Sequence, residues 1–491
     1  MIYRQSRYKF ISALLFCFSY TQFAVSKFYA IFANMENNQQ QETICAISTP
    51  VAKGAIAIIR ISGKEALTLA SQIFSTHTSN IQARKAYFGH IFDGKDILDD
   101  VLLTYFQAPH SFTGEDMVEI STHGSLYIQE RLIALLIEAG CRLAAPGEFT
   151  QRAFLNGKLD LSQAEAIADL IASQSKAAHH LAMNNLRGQV SKKIALLREK
   201  LIHFSALMEL ELDFSEEDVE FADRKQFSDL LDDIETEIVK LLQSFQSGNA
   251  IKKGMTVTIV GKPNVGKSTL LNALLKEERA IVSDISGTTR DTIEDTIHLN
   301  GFLFRFVDTA GIRENADEIE QLGIQRSFNA IDNAMIILWV VDKWTPQDLQ
   351  EQYQALFAKT NIDNKKKFLL LNKIDTASEQ TTDIVFEDFS ILPISAKNNV
   401  NISDLEQQLS DYAQSCCESH ETMISNLRHY HAFENALQAL QQAKESFFNG
   451  LSNDLIAVDI RQTLYFLSEI VGEVSNEDIL SEIFSKFCIG K

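Results

Sequence analysis

The sequence is poor in paired cysteines, in long apolar runs and in positive charge, and each shortage narrows the possible classes of protein. It has six cysteines, and none of them forms a C-x-x-C pair. Cys416 and Cys417 are adjacent in the chain and are therefore poorly placed to bridge each other. This pattern is typical of a reduced, intracellular protein and argues against a disulfide-stabilised one.

The apolar stretch near the N-terminus, Phe10–Phe18, is too short to span a bilayer. The first 34 residues carry no acidic side chain but several basic ones, namely Arg4, Arg7, Lys9 and Lys27. This extension is a signal h-region, an organellar presequence, or a stretch upstream of a true translation start at Met35. We favour the start at Met35, because the rest of the chain has the character of a cytoplasmic protein.

Positive charge is scarce throughout, and the formal net charge is −20. Such an acidic balance argues against a chain that binds nucleic acid over its whole surface. Any contact with RNA is therefore expected to be local or shared with a partner. The chain length predicts roughly three or four domains.

The segment from Thr43 to about Phe154 has a mixed pattern that predicts a compact α+β domain. Strands are predicted at residues 55–61, 101–106 and 117–120, and helices at 65–74 and 126–139.

A glycine-rich loop, residues 261–269 (GKPNVGKST), lies between a predicted strand at 255–260 and a predicted helix at 270–275. This is the context in which the G-x-x-x-x-G-K-[ST] pattern binds phosphate. The glycines let backbone N–H groups point at phosphate oxygens, and the helix N-terminus adds positive potential. Lys267 is predicted to reach the β- and γ-phosphates, and the Ser268 hydroxyl to bind Mg²⁺.

Three further nucleotide motifs follow, and each comes after a predicted strand: residues 308–311 (DTAG), 372–375 (NKID) and 395–397 (SAK). Asp375 selects guanine, because its carboxylate accepts hydrogen bonds from the ring N–H and the exocyclic amine, whereas adenine would leave it unpaired. Thr289, in the switch-like run 287–291 (GTTRD), is the predicted second protein ligand of Mg²⁺. Together the motifs predict guanine nucleotide binding.

The position after D-x-x-G, where many small GTPases carry a catalytic glutamine, is Ile312, and no arginine finger is evident. Hydrolysis therefore requires another device. Asn264 is one candidate, because its amide oxygen suits a K⁺ ion that adds positive charge at the phosphates. Glu320 either orients the attacking water or belongs to a solvated helix face at 317–320.

Helical patterns flank the nucleotide region on both sides. Gly248 and Gly254 are predicted to break the second of the helices before the nucleotide region, and the arrangement predicts a Ras-like P-loop domain inserted into a helical bundle. The apolar seams consist of Ile194, Leu197, Leu201, Phe204 and Met208; of Phe227, Leu230, Ile234, Ile238, Leu241 and Phe245; and of Ile460, Leu464, Leu467, Val471 and Val474. The predicted bounds are 1–34 for the extension, 35–156 for the α+β domain, 157–253 and 412–491 for the helical parts, and 254–411 for the nucleotide domain.

From about Thr43 to Lys491 the chain resembles the MnmE (TrmE) tRNA-modification GTPases, a branch of the TrmE-Era-EngA-EngB-Septin-like GTPases. Besides the nucleotide motifs, the resemblance rests on residues 60–63 (RISG), 112–116 (FTGED), 146–150 (PGEFT), 152–161 (RAFLNGKLDL) and the terminal 487–491 (FCIGK).

The resemblance implies a K⁺-activated GTPase that works with an FAD-containing partner, MnmG (GidA), in a heterotetramer. The product would be 5-carboxymethylaminomethyluridine at the wobble position of certain tRNAs, with a tetrahydrofolate derivative as one-carbon donor. It implies an N-terminal domain that dimerises and binds the folate, and it supports the water-orienting role of Glu320. Cys488, otherwise an incidental terminal thiol, would act in the modification.

The resemblance also completes the list of predicted site residues. The folate residues would be Arg60, Glu119, Lys158 and Lys491, and the K⁺ residues would be Asn264, Ser283, Ile285 and Thr288. The predicted GTP contacts are Asn264, Val265, Gly266, Lys267, Ser268, Thr269, Ser283, Asp284, Ile285, Ser286, Gly287, Thr288, Thr289, Asp308, Thr309, Ala310, Gly311, Asn372, Lys373, Ile374, Asp375, Ser395, Ala396 and Lys397.

An alternative is a regulatory GTPase of ribosome assembly, which would carry similar nucleotide motifs. Such a protein usually has an RNA-binding appendage or a second nucleotide domain, and this sequence has neither. The folate-type motifs and the C-terminal cysteine favour tRNA modification.

Overall fold

The computed structural model describes residues 42–75, 81–213, 224–276, 295–307, 328–342, 344–376, 386, 388–419, 422–474 and 477–490. Contacts divide the chain into an N-terminal unit, residues 1–164 with 475–491, and a central unit, residues 165–474. The last residues of the chain thus group with the first domain, whereas the sequence pattern placed 412–491 in one helical part. In the ranges given above, every helix is too short or too polar to cross a membrane.

The N-terminal unit is built on a six-stranded sheet in the order β3-β4-β5-β2-β1-β6. All neighbouring strands are antiparallel except β1 and β6, which run parallel. The strands are β1 (Ile44–Ile47), β2 (Ile56–Ser62), β3 (Ala86–Asp93), β4 (Asp96–Phe106), β5 (Met117–His123) and β6 (Arg142–Leu143), and the helices are α1 (Ala66–Ile73), α2 (Leu126–Ala139), α3 (Glu148–Leu155) and, near the C-terminus, α13 (Glu477–Ser485). The α+β prediction is confirmed.

The two faces of this sheet differ in how they are covered. Helices α1 and α2 pack on one face, where alternate strand residues such as Ile59, Ile61 and Leu103 are fully buried. The opposite face is covered at β1 by Phe149 of α3. At the β3–β4 edge the cross-strand pair Phe88 and Leu102 is exposed. The period-2 alternation of the strands therefore produces one closed face and one half-open face.

Helices of the central unit form a bundle around one apolar core. The core residues come mainly from α6 (Gln189–Asp213), α7 (Arg224–Lys253), α11 (Leu427–Phe448) and α12 (Asn453–Val471). Two shorter helices, α4 (Leu161–Ala172) and α5 (Lys176–Leu186), precede them in the chain, and Leu181 of α5 belongs to the core of the nucleotide domain. The predicted seams supply most of the bundle core, which buries Ile194, Leu197, Leu201, Phe204, Ile234, Ile238, Leu241, Ile460 and Leu467. The side chains of the predicted seam members Met208 and Phe227 lie outside the described residues.

Two details of the helical prediction are wrong. Helix α7 continues through Gly248 and ends at Lys253, before Gly254, which has a φ of +94°. Val474 lies beyond the end of α12 at Val471 and is exposed, because Gly472 terminates the helix in the left-handed conformation.

The nucleotide domain of the central unit has a second six-stranded sheet, in the order β12-β11-β10-β7-β9-β8. Its strands are parallel except for the β8–β9 pair. The strands are β7 (Met255–Val260), β8 (Asp295–Leu299), β9 (Phe302–Phe306), β10 (Ile336–Val341), β11 (Lys366–Leu371) and β12 (Ser390–Pro393), and the helices are α8 (Lys267–Lys276), α9 (Pro346–Phe357) and α10 (Ile402–Glu418). The carboxyl ends of β7, β11 and β12 share one edge, where nucleotide sites of such sheets form.

Candidate functional sites

The glycine loop connects β7 to α8 through backbone conformations that most residues avoid. Gly261, Asn264 and Gly266 have φ values of +147°, +62° and +104°. A Cβ at Gly261 would lie 2.3 Å from the carbonyl oxygen of Val340. Glycine is thus required where the loop leaves the sheet, and the loop delivers the N-terminus of α8 to the phosphate position.

Lys267, the first residue of α8, is folded back onto its own loop. Its Nζ donates to the carbonyl oxygens of Gly261 and Lys262, at 2.9 Å each. Burial lowers the pKa of this amine. A bound phosphate would therefore be a stronger acceptor than these carbonyls.

Asn372 links the glycine loop to the two base-recognition loops. Its Nδ2 donates to the Val265 carbonyl at 2.7 Å, and its Oδ1 accepts from the Ala396 N–H at 3.0 Å. The contact is so close that a Cβ at Gly266 would lie 2.2 Å from Asn372 Nδ2. The structure thus brings together three motifs that are far apart in sequence.

Neighbouring side chains complete this arrangement. The Ser395 Oγ donates to Asp375 Oδ1 at 2.6 Å, and this hydrogen bond holds the pKa of the Asp375 carboxyl below its ordinary value. Lys373 donates to the Asn264 carbonyl at 2.9 Å and to Asp342 Oδ2 at 2.8 Å. Asp342 was not predicted; its position directly after the buried strand β10 was the available signal.

Several predicted site residues lie outside the described residues: Ser283, Asp284, Ile285, Ser286, Gly287, Thr288, Thr289, Asp308, Thr309, Ala310, Gly311, Glu320 and Lys491. Of the proposed K⁺ residues the structure therefore places Asn264 alone, and of the Mg²⁺ residues Ser268 alone.

In the N-terminal unit, Arg60 and Glu119 pair across β2 and β5. The guanidinium donates to Glu119 Oε1 from Nε at 3.0 Å and from Nη2 at 2.8 Å. It also lies 5.4 Å from the ring centroid of Phe112 and 5.7 Å from that of Phe149. The pair sits on the half-open face of the sheet, where the covered part meets the exposed part. Lys158 is exposed, and its Nζ donates to the carbonyl of Pro109 at 2.9 Å.

A buried arginine joins the sequence motifs around this pair. Arg152 donates to Glu115 at 3.0 Å, to Glu148 at 2.9 Å and to the carbonyl of Glu42 at 2.9 Å. Glu115 also accepts from the Ser62 hydroxyl at 2.8 Å. Arg152 lies in one of the sequence motifs named above, and the motif alone predicts no role for it. Its burial, with 4% of the residue exposed, marks it as the anchor of the network.

Comparisons with known proteins cover nearly the whole chain. A family model described as the MnmE helical domain matches residues 161–488, and one described as the N-terminus of the GTP-binding protein TrmE matches residues 43–158. The tRNA modification GTPase MnmE of Flavobacterium psychrophilum is 49% identical over 458 residues, which cover 92% of this chain and 99% of the relative. The chain belongs to the MnmE family of tRNA modification GTPases.

A second relative of the same name, from Bacteroides fragilis, is 48% identical over 467 residues, which cover 92% of this chain and all of the relative. Among solved structures, the G domain of the T. maritima FeoB iron transporter is 20% identical, with a TM-score of 0.22, over 33% of this chain and 99% of that one.

In this MnmE-family chain the C-terminal cysteine belongs to the N-terminal unit. Cys488 is exposed, and its carbonyl oxygen accepts a long hydrogen bond, 3.5 Å, from the N–H of Gly147. Gly147 precedes α3, the helix that carries Phe149 and Arg152. The predicted catalytic cysteine and the predicted folate residues Arg60 and Glu119 therefore belong to one compact unit.

Proposed function

We propose that this chain hydrolyses GTP in a K⁺-dependent manner and, in a heterotetramer with an FAD-containing MnmG (GidA)-like partner, forms 5-carboxymethylaminomethyluridine at the wobble position of certain tRNAs. A tetrahydrofolate derivative is the proposed one-carbon donor, and the cytoplasm the proposed location. The observation that carries the proposal is the meeting of three nucleotide loops at Asn372 in a member of the MnmE family.

For GTP, the glycine loop and the N-terminus of α8 bind the phosphates, and Asp375 reads the guanine edge. Lys267 exchanges its carbonyl acceptors for the β- and γ-phosphate oxygens. The Ser268 hydroxyl lies in the first turn of α8, where a neutral oxygen donor fits Mg²⁺, with Thr289 as the second proposed protein ligand. A Mg²⁺ ion held by these residues would neutralise negative charge on the bound phosphates.

For K⁺, the proposal rests on Asn264, with Ser283, Ile285 and Thr288 as the other proposed ligands and Glu320 as the residue that orients water. Asn264 has a left-handed backbone conformation, with a φ of +62°. Asn tolerates this conformation better than Ala and most other residues do. The amide oxygen is a suitable ligand for a monovalent cation beside phosphate.

For folate, the charged pair Arg60–Glu119 fits both chemical ends of the ligand. A guanidinium suits an anionic carboxylate, and a carboxylate suits the donor groups of an amino-pyrimidine. Because the two side chains bind each other, the ligand must share or replace that pairing. Lys158 and Lys491 are the other proposed contacts, and Cys488 is the proposed catalytic thiol.

The first experiment is nucleoside analysis of tRNA from a strain that lacks the gene, with complementation by the wild type and by Cys488→Ser. We expect the wobble modification to disappear without the gene, to return with the wild type, and to stay absent with Cys488→Ser although GTP hydrolysis is normal. Unchanged nucleosides in the deletion strain would refute the proposed function.

The second experiment compares GTP hydrolysis in K⁺ and in Na⁺. We expect clearly faster turnover in K⁺, and equal rates in both salts for Asn264→Gly, since glycine removes the amide without straining the backbone. Asn264→Asp, which keeps an oxygen ligand, is the matched control and should keep the preference for K⁺. Equal rates of the wild type in both salts would contradict the K⁺ proposal.

A further inference from the structure

The last residues of the chain contact β1 and the start of α3 within their own unit. Phe487 and Gly490 are buried, whereas Cys488 between them is exposed. The Ser48 hydroxyl donates to the Gly490 carbonyl at 3.1 Å, and Gly147 donates to the Cys488 carbonyl. The segment is therefore held on both sides of its exposed thiol.

The backbone at Gly490 approaches the backbone of Ile47 too closely for any residue other than glycine. Gly490 has a φ of +92°, and a Cβ there would lie 2.2 Å from the carbonyl oxygen of Ile47 and 3.0 Å from its carbonyl carbon. Ile47 is the last residue of β1 and is paired with Ile59 of β2. Because these are backbone atoms of a paired strand, they cannot give way, and the terminal segment would have to move.

Gly147, at the start of α3, likewise permits a close approach, here to Phe484 and Phe487. Gly147 has a φ of +68°, and a Cβ there would lie 2.6 Å from the carbonyl oxygen of Phe484 and 3.1 Å from the Cβ of Phe487. Phe484 also packs against Phe154 of α3, with ring centroids 6.5 Å apart. Aromatic packing thus draws the segment in, and the glycine permits its final approach.

We infer that Gly147 and Gly490 form a two-point latch that fixes the backbone on either side of Cys488 and so positions its thiol for the modification reaction. Both are positioning residues. Gly147 acts through Phe484 and Phe487, which precede the cysteine, and through the Cys488 carbonyl. Gly490 acts through the chain two residues after the cysteine, and neither glycine needs to touch a substrate. The inference rests on the proposed role of Cys488, and the latch itself is testable without that role.

The first test measures docking of the segment and needs no enzymatic activity. Lys486 precedes the latch, and its side chain is 71% exposed. Limited trypsin digestion of the full-length protein, followed by mass spectrometry, reports how fast the peptide 487–491 is released. We expect Gly490→Ala and Gly147→Ala to accelerate this release at least about tenfold, because cleavage follows the population of the opened segment.

Gly94→Ala is the matched control for backbone strain. Gly94 also has a positive φ, +63°, but a Cβ there would meet nothing within 4 Å. This variant should release the peptide at the wild-type rate. The comparison separates the loss of close approach from the general effect of alanine in a left-handed conformation.

The second test measures wobble-uridine modification by the complex with its partner, together with GTP turnover and melting temperature. For Gly490→Ala we expect kcat for modification to fall at least about tenfold, with KM for tRNA, GTP turnover and melting temperature unchanged. General destabilisation would instead lower the melting temperature and GTP turnover as well.

Each other outcome overturns a defined part of the inference. Wild-type release of the peptide from Gly490→Ala and Gly147→Ala would show that there is no latch. Faster release with full modification would show that the latch does not position the thiol. Full modification by Cys488→Ser would remove the role of the cysteine, and with it the positioning function, whatever the trypsin result.

Discussion

At the scale of single residues, Asn372 shows how one buried amide can connect loops that are distant in sequence. It is 2% exposed, and its donor and its acceptor are both used, by Val265 and Ala396 respectively. A buried amide that loses such partners carries a penalty of about 1–3 kcal/mol. The sequence motif predicts a place for Asn372 in the base loop alone. Its contact with the phosphate loop depends on the parallel strands that end side by side.

Asp375 is the residue whose substitution should change the base preference. We predict that Asp375→Asn lowers turnover of GTP at limiting concentration at least about a hundredfold and raises that of xanthosine triphosphate, because the amide reverses one donor–acceptor relation with the base. The hydrogen bond from Ser395 lowers the pKa of the Asp375 carboxyl below its ordinary value. Steady-state kinetics with both nucleotides measures the change.

Asp363→Asn provides the control for this prediction. Asp363 is an exposed residue elsewhere in the nucleotide domain, and its substitution should leave both rates as in the wild type. An unchanged preference for guanine in Asp375→Asn would mean that another group reads the base.

At the scale of elements, a packing contact explains why Gly248 does not break helix α7. A Cβ at Gly248 would lie 2.3 Å from the carbonyl oxygen of Ile424, and Ile424 is fully buried in the bundle core. The glycine therefore permits a close packing contact inside a continuous helix. Sequence alone does not distinguish a glycine that ends a helix from one that makes room for a neighbour.

We predict that Gly248→Ala destabilises the protein, although alanine favours the helix by about 1 kcal/mol. The added methyl forces α7 away from residue 424 at a cost of about 1–3 kcal/mol beyond that gain, so the melting temperature should fall by a few degrees. Calorimetry measures the shift. Gln246→Ala, an exposed site in the same turn, should change little, and a more stable Gly248→Ala protein would contradict the contact.

A buried ionic cluster joins α4 to α11 in the central unit. Glu165 accepts from Arg428 at 2.9 and 3.1 Å and contacts His429 Nε2 at 2.7 Å. Burial opposes ionisation of Glu165, but the charges of His429 and Arg428 outweigh it and lower its pKa from the ordinary 4.5 to about 2. Arg428 also donates to the carbonyls of Glu469 and Ile470 at the end of α12.

The lowered pKa predicts a defined pH dependence. A carboxylate with a lower pKa in the folded state stabilises the fold fully above about pH 4.5, and this contribution is lost as the pH falls to about 2. Glu165→Gln should therefore cost about 3–5 kcal/mol at pH 7, because it leaves the buried Arg428 guanidinium without its carboxylate, and the difference from the wild type should shrink toward pH 2.

Denaturant unfolding at several pH values, with hydrogen exchange of the α11 amides, measures this difference. Glu434→Gln is the control: Glu434 pairs with His431 at 3.4 Å, but both side chains are exposed, so its loss should matter little. Equal stability of Glu165→Gln and the wild type at pH 7 would contradict the role assigned to the cluster.

At the scale of the whole molecule, the half-open sheet face is the surface we propose for dimerisation of the N-terminal unit. Phe88 and Leu102, a cross-strand pair, are 67% and 46% exposed, and the pair Phe92 and Ile97, which lies beyond the His90–Asp100 ion pair, is 38% and 56% exposed. Large exposed apolar side chains beside a polar pair are typical of an interaction surface. A second copy of the chain would cover them and complete the open face beside Arg60.

We predict that Phe88→Glu makes the protein monomeric at micromolar concentration, because dimerisation would bury the new carboxylate without a partner. Size-exclusion chromatography with light scattering measures the mass. Tyr127→Glu is the control, since Tyr127 is 66% exposed but belongs to α2, on the opposite side of the sheet. A dimer that persists in Phe88→Glu would place the interface elsewhere.

Local sequence patterns by themselves predicted several of the strands and helices and the order of the nucleotide motifs of this protein. The Lys267 loop, the Asp375 loop and the seam through Ile194 all follow from spacing along one segment, because helix and strand periodicities depend on near neighbours.

The tertiary structure alone decided three other features: the continuity of α7 through Gly248, the pairing of Arg60 with Glu119, and the docking of Gly490 on Ile47. Each depends on a contact between residues far apart in the chain. Long-range packing decides whether a glycine ends a helix, forms a turn or allows another backbone to approach closely. The sequence of a single segment does not show which distant residues will contact it.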